Sequence, residues 1–232
     1  MLAMDFADAR RFIRHVALPE VGSRGQQRIL DATVALVVDA EGTLALETAT
    51  LYLACAGVRA FRVLLPAAAD ASSLAALAPA ARFDEVKVAS AGSAWAAALA
   101  GCDVALRASF ADDSFVEACR RLRVPAVVAR WRKDSGALDL LSLRPAPGGP
   151  DSDVPSVPPG PSHPQSDVSA IDHGTDVLAG TLAATEVLWS LLGRGPGVSA
   201  EAAATGVIRH LNVPFSTREN HPITHNIAWP AP

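Results

Sequence analysis

Cysteine, aromatic residues and long apolar runs are all scarce in this chain of 232 residues. The three cysteines, Cys55, Cys102 and Cys119, lack metal-like spacing and give no disulfide framework. Two fall in predicted helix and one just before a strand, so inert buried thiols are expected. Aromatics make up 5% of the residues while alanine abounds, which leaves Ala, Leu and Val to build the core. No apolar run approaches the ~18 residues of a membrane span, and no signal peptide precedes the charged stretch Asp5 to Arg14. A cytoplasmic protein without membrane association is therefore expected. Surplus positive charge is lacking as well: 20 basic against 24 acidic residues give a net charge of −4, which speaks against broad nucleic-acid binding.

What is present is a βαβ frame. Ala35 to Val38 reads as a buried strand, Ala45 to Cys55 as an apolar, Ala-rich helix, Ala56-Gly57-Val58 as a turn and Phe61 to Leu65 as a second strand. In such a frame the first strand-to-helix turn normally carries G-x-G-x-x-G, so that bare backbone can approach a phosphate at the helix N-terminus. Here that turn is Asp39-Ala40-Glu41-Gly42-Thr43. An anion would meet the carboxylates of Asp39 and Glu41, with Gly42 the single glycine. The same two carboxylates could hold a cation, or simply complement the helix dipole.

Downstream the two kinds of signal alternate. Strands are predicted at Glu85–Val88, Val104–Leu106 and Val124–Ala129, and helices near Ser93–Ala100 and Asp112–Leu122. Such alternation implies a doubly wound, mostly parallel α/β sheet with helices on both faces. Ala137 to Leu143 reads as an added antiparallel strand, followed by a Pro/Gly/Ser-rich linker over 145–172 that contains no cysteine. A helix over Thr175–Leu192, a strand over Thr205–Leu211 and a tail over 213–232 complete a single domain spanning 1–232. In that tail, His221 and His225 lie four apart, but Pro222 between them argues against a helical metal site, and no metal is expected. Trp229 nearby is expected to dock, on its own domain or on a partner.

Three ordered segments carry a resemblance to a known family. Arg11-Phe12-Ile13-Arg14 with Gly25-Gln26 before the first strand, Tyr52-Leu53-Ala54-Cys55-Ala56-Gly57-Val58, and Gly180-Thr181-Leu182-Ala183-Ala184-Thr185-Glu186 resemble the ThiF/MoeB/HesA family of ubiquitin-activating-type adenylyltransferases. Its members open R-[YF]-x-R-Q, continue with YLA-x-AGV and close on a helix reading roughly G-x-x-x-A-x-E. The resemblance implies a Rossmann-like domain that activates a carrier-protein or peptide C-terminus with ATP. Yet it also implies residues that this chain lacks. The family's ribose-binding Asp follows the second strand, where Leu64-Leu65-Pro66 stands here. Its magnesium-binding Asp follows the next strand in the family order, where Arg107-Ala108-Ser109-Phe110 stands. The Cys-x-x-Cys zinc pairs of many relatives are absent too.

The chain therefore resembles a degenerate member, for which no catalytic residue and no cofactor are expected. In family dimers the second Arg of the opening motif reaches the triphosphate in the other subunit, which makes Arg14, with Arg11 beside it, an in-trans candidate. The plainer alternative is that both are surface charges on a short helix. Phe12, Ile13, Val16 and Leu18, together with the helix from Thr181, are expected to form the dimer surface. The expected role is a non-catalytic subunit, paired with itself or with an active ThiF-type protein. A divergent adenylyltransferase and a peptide-binding module in natural-product biosynthesis are the alternatives.

Overall fold

The computed structural model describes residues 5–39, 43–66, 69–88, 93–109, 113–132, 137–143, 169–193 and 207–214. Short apolar runs place β1 (Thr33–Val37), β2 (Ala60–Leu65), β3 (Arg82–Lys87), β4 (Val104–Arg107), β5 (Ala126–Arg132), β6 (Ala137–Leu143) and β7 (Val207–Pro214) in one sheet. The order is β3-β2-β1-β4-β5-β6-β7, parallel from β3 to β5 and antiparallel at β5–β6 and β6–β7. This is the expected doubly wound, Rossmann-like α/β sheet with an antiparallel C-terminal pair.

Strand periodicity divides the core in two. Val34 and Leu36 of β1, Val63 of β2 and Leu106 of β4 face α4 (Thr43–Ala56) and α8 (Ser169–Leu191). Ala35 and Val37 of β1 and Ala105 of β4 face the other way, toward α6 (Ser93–Leu99) and α7 (Asp113–Leu122). A small helix, α5 (Ser72–Leu77), sits in the β2-to-β3 crossover and adds Leu74 to the first layer.

Before β1 come α1 (Phe6–Arg11), α2 (Ile13–Val16) and α3 (Gly22–Asp31). The Asp5 carboxylate caps α1 by accepting from Asp8 N–H at 2.7 Å. This segment explains most of the family resemblance in packing terms. Gln26 is fully buried, donates from Nε2 to Ala56 C=O at 2.9 Å, and offers Oε1 to the His15 ring at 3.0 Å. Gly57 follows with φ +116, and a Cβ there would stand 2.8 Å from Gln26 Nε2 and 3.1 Å from the Phe12 ring. So the opening motif and the Ala-Gly-Val turn meet over one glycine. The late helix closes the same unit: Arg28 Nη1 donates to Leu192 C=O at 3.3 Å, and Leu192 packs against Gly25.

Several boundaries differ from expectation. Helix α8 begins at Ser169 rather than Thr175, because Ser169-Ala170-Ile171-Asp172 hold no Pro or Gly to stop it. The last four residues of the 145–172 linker are thus helical, and the remainder lies outside the described residues. Strand β7 runs through Val213 and Pro214, the first two residues assigned to the 213–232 tail. The rest of that tail, with His221, His225 and Trp229, also lies outside the described residues. Phe12, expected on an exposed surface, is 4% exposed, because its ring fills the space over Gly57. Ile13 and Leu18 are exposed, and Val16 is half-buried.

Candidate functional site

In an open α/β sheet, ligands bind outside the carboxyl ends of the strands where the winding reverses. Here the reversal lies between β1 and β4, whose last paired residues are Val37 and Arg107. Two-residue periodicity carries Asp39, two positions past Val37, and Ser109, two past Arg107, toward the same side of the sheet. The three side chains meet there. Arg107 grips Asp39 with two N–H groups, Nε to Oδ2 at 2.8 Å and Nη2 to Oδ1 at 3.0 Å. The Ser109 hydroxyl donates to the same Asp39 Oδ2, and Arg107 Nε lies 3.2 Å from Ser109 Oγ. The guanidinium carbon lies 5.6 Å from the ring centre of Trp95 on α6 and 5.5 Å from that of Phe115 on α7. Those two rings pack edge to face.

Planar guanidinium matches carboxylate geometry, and Arg107 is buried against two aromatic rings while Asp39 keeps a quarter of its side chain exposed, so the contact is directional and partly shielded from water. Removing one partner from a fully buried pair costs about 3–5 kcal/mol, and the partial exposure of Asp39 places this pair below that range. The consequence for chemistry is steric and electrostatic together. A base closes β4 and an acid follows β1 at the switch point. Each neutralises the other. At the end of β2, Leu65 is fully buried and Pro66 follows, with no carboxylate for a ribose.

Of the positions singled out in the sequence, Asp39 therefore lies in the switch-point crevice, while Glu41 and Gly42 fall outside the described residues. The electrostatic expectation for Asp39 changes: its charge is balanced by Arg107 instead of standing open to repel an anion. The sequence motifs do not single out Arg107 as a site residue. The signal that could have found it is a base closing the strand adjacent to β1, read together with the reversal of winding. Arg11 and Arg14 lie elsewhere, on the N-terminal segment. The Arg11 guanidinium lies 5.1 Å from the Phe12 ring centre, whereas the exposed Arg14 has neither a hydrogen-bond nor an ion-pair partner among the described residues.

The cysteines split. Cys102 and Cys119 are buried as expected, but Cys55 is exposed on the outer side of α4. That helix is largely apolar, with Glu47 its single charged residue, so its periodicity does not reveal which face is inward. Burial pushes the Cys119 thiol up to about 12, with Arg107 opposing and Cys102 reinforcing, and burial raises Cys102 too. A raised folded-state value favours the thiol, so the stability it contributes is complete below the ordinary value of 9.0 and falls as pH climbs from there toward 12. We expect the unfolding free energy to decline across that window and Cys119→Ala to flatten the decline by about 1 kcal/mol per pH unit. At pH 8, a maleimide should label Cys55 alone in the native protein. Fast native labelling of Cys119 would contradict this burial.

No group of three or more His, Cys, Asp or Glu side chains placed to hold a metal occurs among the described residues. Nor is any helix among them long and apolar enough to cross a membrane.

Fold and crevice together define a class: a doubly wound α/β domain whose switch point is filled by its own ion pair. No protein-family model and no curated protein sequence matches the chain. Solved structures do. PaaA aligns with a TM-score of 0.62 and 11% identity over 92% of this chain and 75% of that one. Escherichia coli MccB with MccA aligns at 0.58 and 9% identity, over 91% and 69%. MccB with ATP aligns at 0.54 and 11%, over 82% of this chain and 64% of that one. The chain thus spans less than two thirds of MccB in that alignment, and identities this low establish the shared fold alone.

Proposed function

We propose that this chain is a non-catalytic ThiF-like subunit, a dimer partner or scaffold for an active adenylating enzyme or for the carrier protein or peptide that such an enzyme activates. The observation that carries this reading is the Asp39–Arg107 pair at the switch point, the end of the sheet at which open α/β folds take up ligands. Two further facts support it. The motif residues Phe12, Gln26, Gly57 and Gly180 have packing roles within the chain, so their presence speaks for the fold and not for catalysis. Among the described residues Arg14 has no hydrogen-bond or ion-pair partner, which fits a residue supplied to a neighbouring subunit.

Under this proposal the chain pairs with a copy of itself or with an active ThiF-type protein, acts in the cytoplasm, and uses no cofactor of its own. A peptide-binding role without adenylation is the second reading. It is favoured by the likeness to MccB, which has been solved with MccA bound.

Titration calorimetry with ATP and magnesium separates these from a divergent adenylyltransferase. The expected result is no binding tighter than about 1 mM, roughly −4 kcal/mol. Pyrophosphate exchange supported by the chain alone, with any carrier protein, would sink the non-catalytic reading.

A further inference from the structure

One edge of the sheet is open. Strand β3 ends the strand order, and among the described residues no strand lies beyond it. It runs parallel to β2 in register over all six of its residues, with no bulge, proline or glycine to break its line. Arg82 N–H donates to Arg59 C=O at 2.7 Å, and Val88 N–H donates to Leu65 C=O at 2.9 Å. Backbone direction alternates along a strand, so the even-numbered residues turn their amides toward β2. The N–H and C=O groups of Phe83, Glu85 and Lys87 therefore line the open edge.

The side chains around that edge are held within the chain. Phe83 stacks on Phe61 with ring centres 5.1 Å apart, Glu85 Oε1 accepts from Ala71 N–H at 3.3 Å, and Lys87 Nζ donates to Ala69 C=O. On the other face Arg82 pairs with Asp84 at 3.2 Å, and Val86 packs against the core. The edge is a preformed template whose outward backbone groups are what an added strand would satisfy.

Charge decides what can pair there. Arg82-Phe83-Asp84-Glu85-Val86-Lys87 reads base, apolar, acid, acid, apolar, base, the same in both directions. A second copy in full register, parallel or antiparallel, sets base against base and acid against acid, which destabilises a ladder. A strand reading acid, apolar, base, base, apolar, acid meets opposite charge at every charged position and an apolar side chain at the others.

We propose that the outer edge of β3 is a β-addition site for an extended segment of another protein with that complementary pattern. Backbone hydrogen bonds to Phe83, Glu85 and Lys87 hold the segment, and the alternating charges select it against other strands. This inference goes beyond the functional reading and is tested apart from it, since it needs neither a second subunit nor adenylation.

The probe is a synthetic capped peptide, Glu-Val-Lys-Arg-Val-Glu. It is compared with a charge-inverted peptide, Lys-Val-Glu-Asp-Val-Lys, and with a fully N-methylated form of the first. Hydrogen exchange of the full-length chain is followed amide by amide. In the free chain, the Phe83, Glu85 and Lys87 amides should exchange about tenfold or more faster than those of Asp84 and Val86. The first peptide at ~1 mM should slow the three outward amides about fivefold or more, as expected for a site of modest affinity. The other two peptides should slow them less than about twofold. Asp84→Lys, a change at a half-exposed side chain, should weaken binding of the first peptide about threefold, the scale of one cross-strand charge pair. Glu85→Pro removes an N–H that points away from β2 and should abolish the protection. Should Glu85→Pro fail to fold, the N-methylated peptide and Asp84→Lys decide the same question.

Equal protection by the first and the charge-inverted peptide, or equal slowing at Asp84 and Val86, would reflect general stabilisation and overturn the proposal. So would outward amides that are already slow in the free chain, because another segment or a second copy would then cover the edge.

Discussion

In a heterodimer with an active relative, Arg14→Ala is expected to leave assembly intact and to lower the partner's adenylation rate about 10²-fold. The first half follows from the structure. Arg14 lies exposed on the four-residue helix α2 and touches no hydrogen-bonding or ionic partner among the described residues, so truncating it removes no internal contact of that kind. The second half follows from the proposed role. A guanidinium delivered to a leaving pyrophosphate stabilises charge that develops in the transition state, and losing one such group commonly costs about 3 kcal/mol of barrier. Arg11→Ala is the internal comparison. Its guanidinium stacks over Phe12, so its loss should touch stability slightly and the partner's rate less. Pyrophosphate exchange by the mixed complex reads the rate, and light scattering reads the assembly. A monodisperse monomer at micromolar concentration, with no effect of Arg14→Ala on any partner, would leave only the fold assignment standing.

Substituting Gly180 should be the most damaging single change to the fold. Helix α8 crosses α4 where Gly180 faces the backbone of Ala45. A Cβ there would stand 2.3 Å from the Ala45 carbonyl oxygen and 2.8 Å from Thr48 Cβ. Backbone cannot yield as a side-chain tip can, so even alanine forces the two helices apart. The displaced layer includes Ala179, Ala183, Ala184 and Val187, all buried against the sheet. Overpacking of this kind costs about 1–3 kcal/mol for alanine, and Gly180→Val should exceed that. Gly174, in the same helix, has open space around its Cβ position, so Gly174→Ala should be neutral or gain up to about 1 kcal/mol. Urea midpoints for the two alanine variants give the comparison. Equal midpoints would show that the α4–α8 crossing is not the constraint proposed.

The same glycine explains why a motif could be read without its purpose. Gly57 and Gly180 stand out in the sequence as parts of a resemblance, yet each is required by a close approach of segments remote in the chain. Glycine marks the meeting point but does not name the partner. The crevice behaves likewise. The acidic turn at Asp39 is plain in the sequence, whereas its partner Arg107 lies 68 residues away. Only the reversal of winding brings β4 beside β1. The exposure of Cys55 is hidden in the sequence for a related reason, since a largely apolar helix has little periodicity from which to tell inside from outside.

What the sequence by itself determined was local: the alternation of strands and helices, the antiparallel pair near the C-terminus and an acidic turn after β1 with a single glycine. These depend on neighbours within a few positions, where backbone propensity and two-residue or 3.6-residue periodicity act. Tertiary structure alone decided that Asp39 is paired with Arg107, that Phe12 is core rather than surface, and that Arg14 stands apart from Arg11 with no hydrogen-bond or ion-pair contact among the described residues. Each of those depends on strand order and helix crossing, which fix distances between residues far apart in the chain and which no single segment encodes.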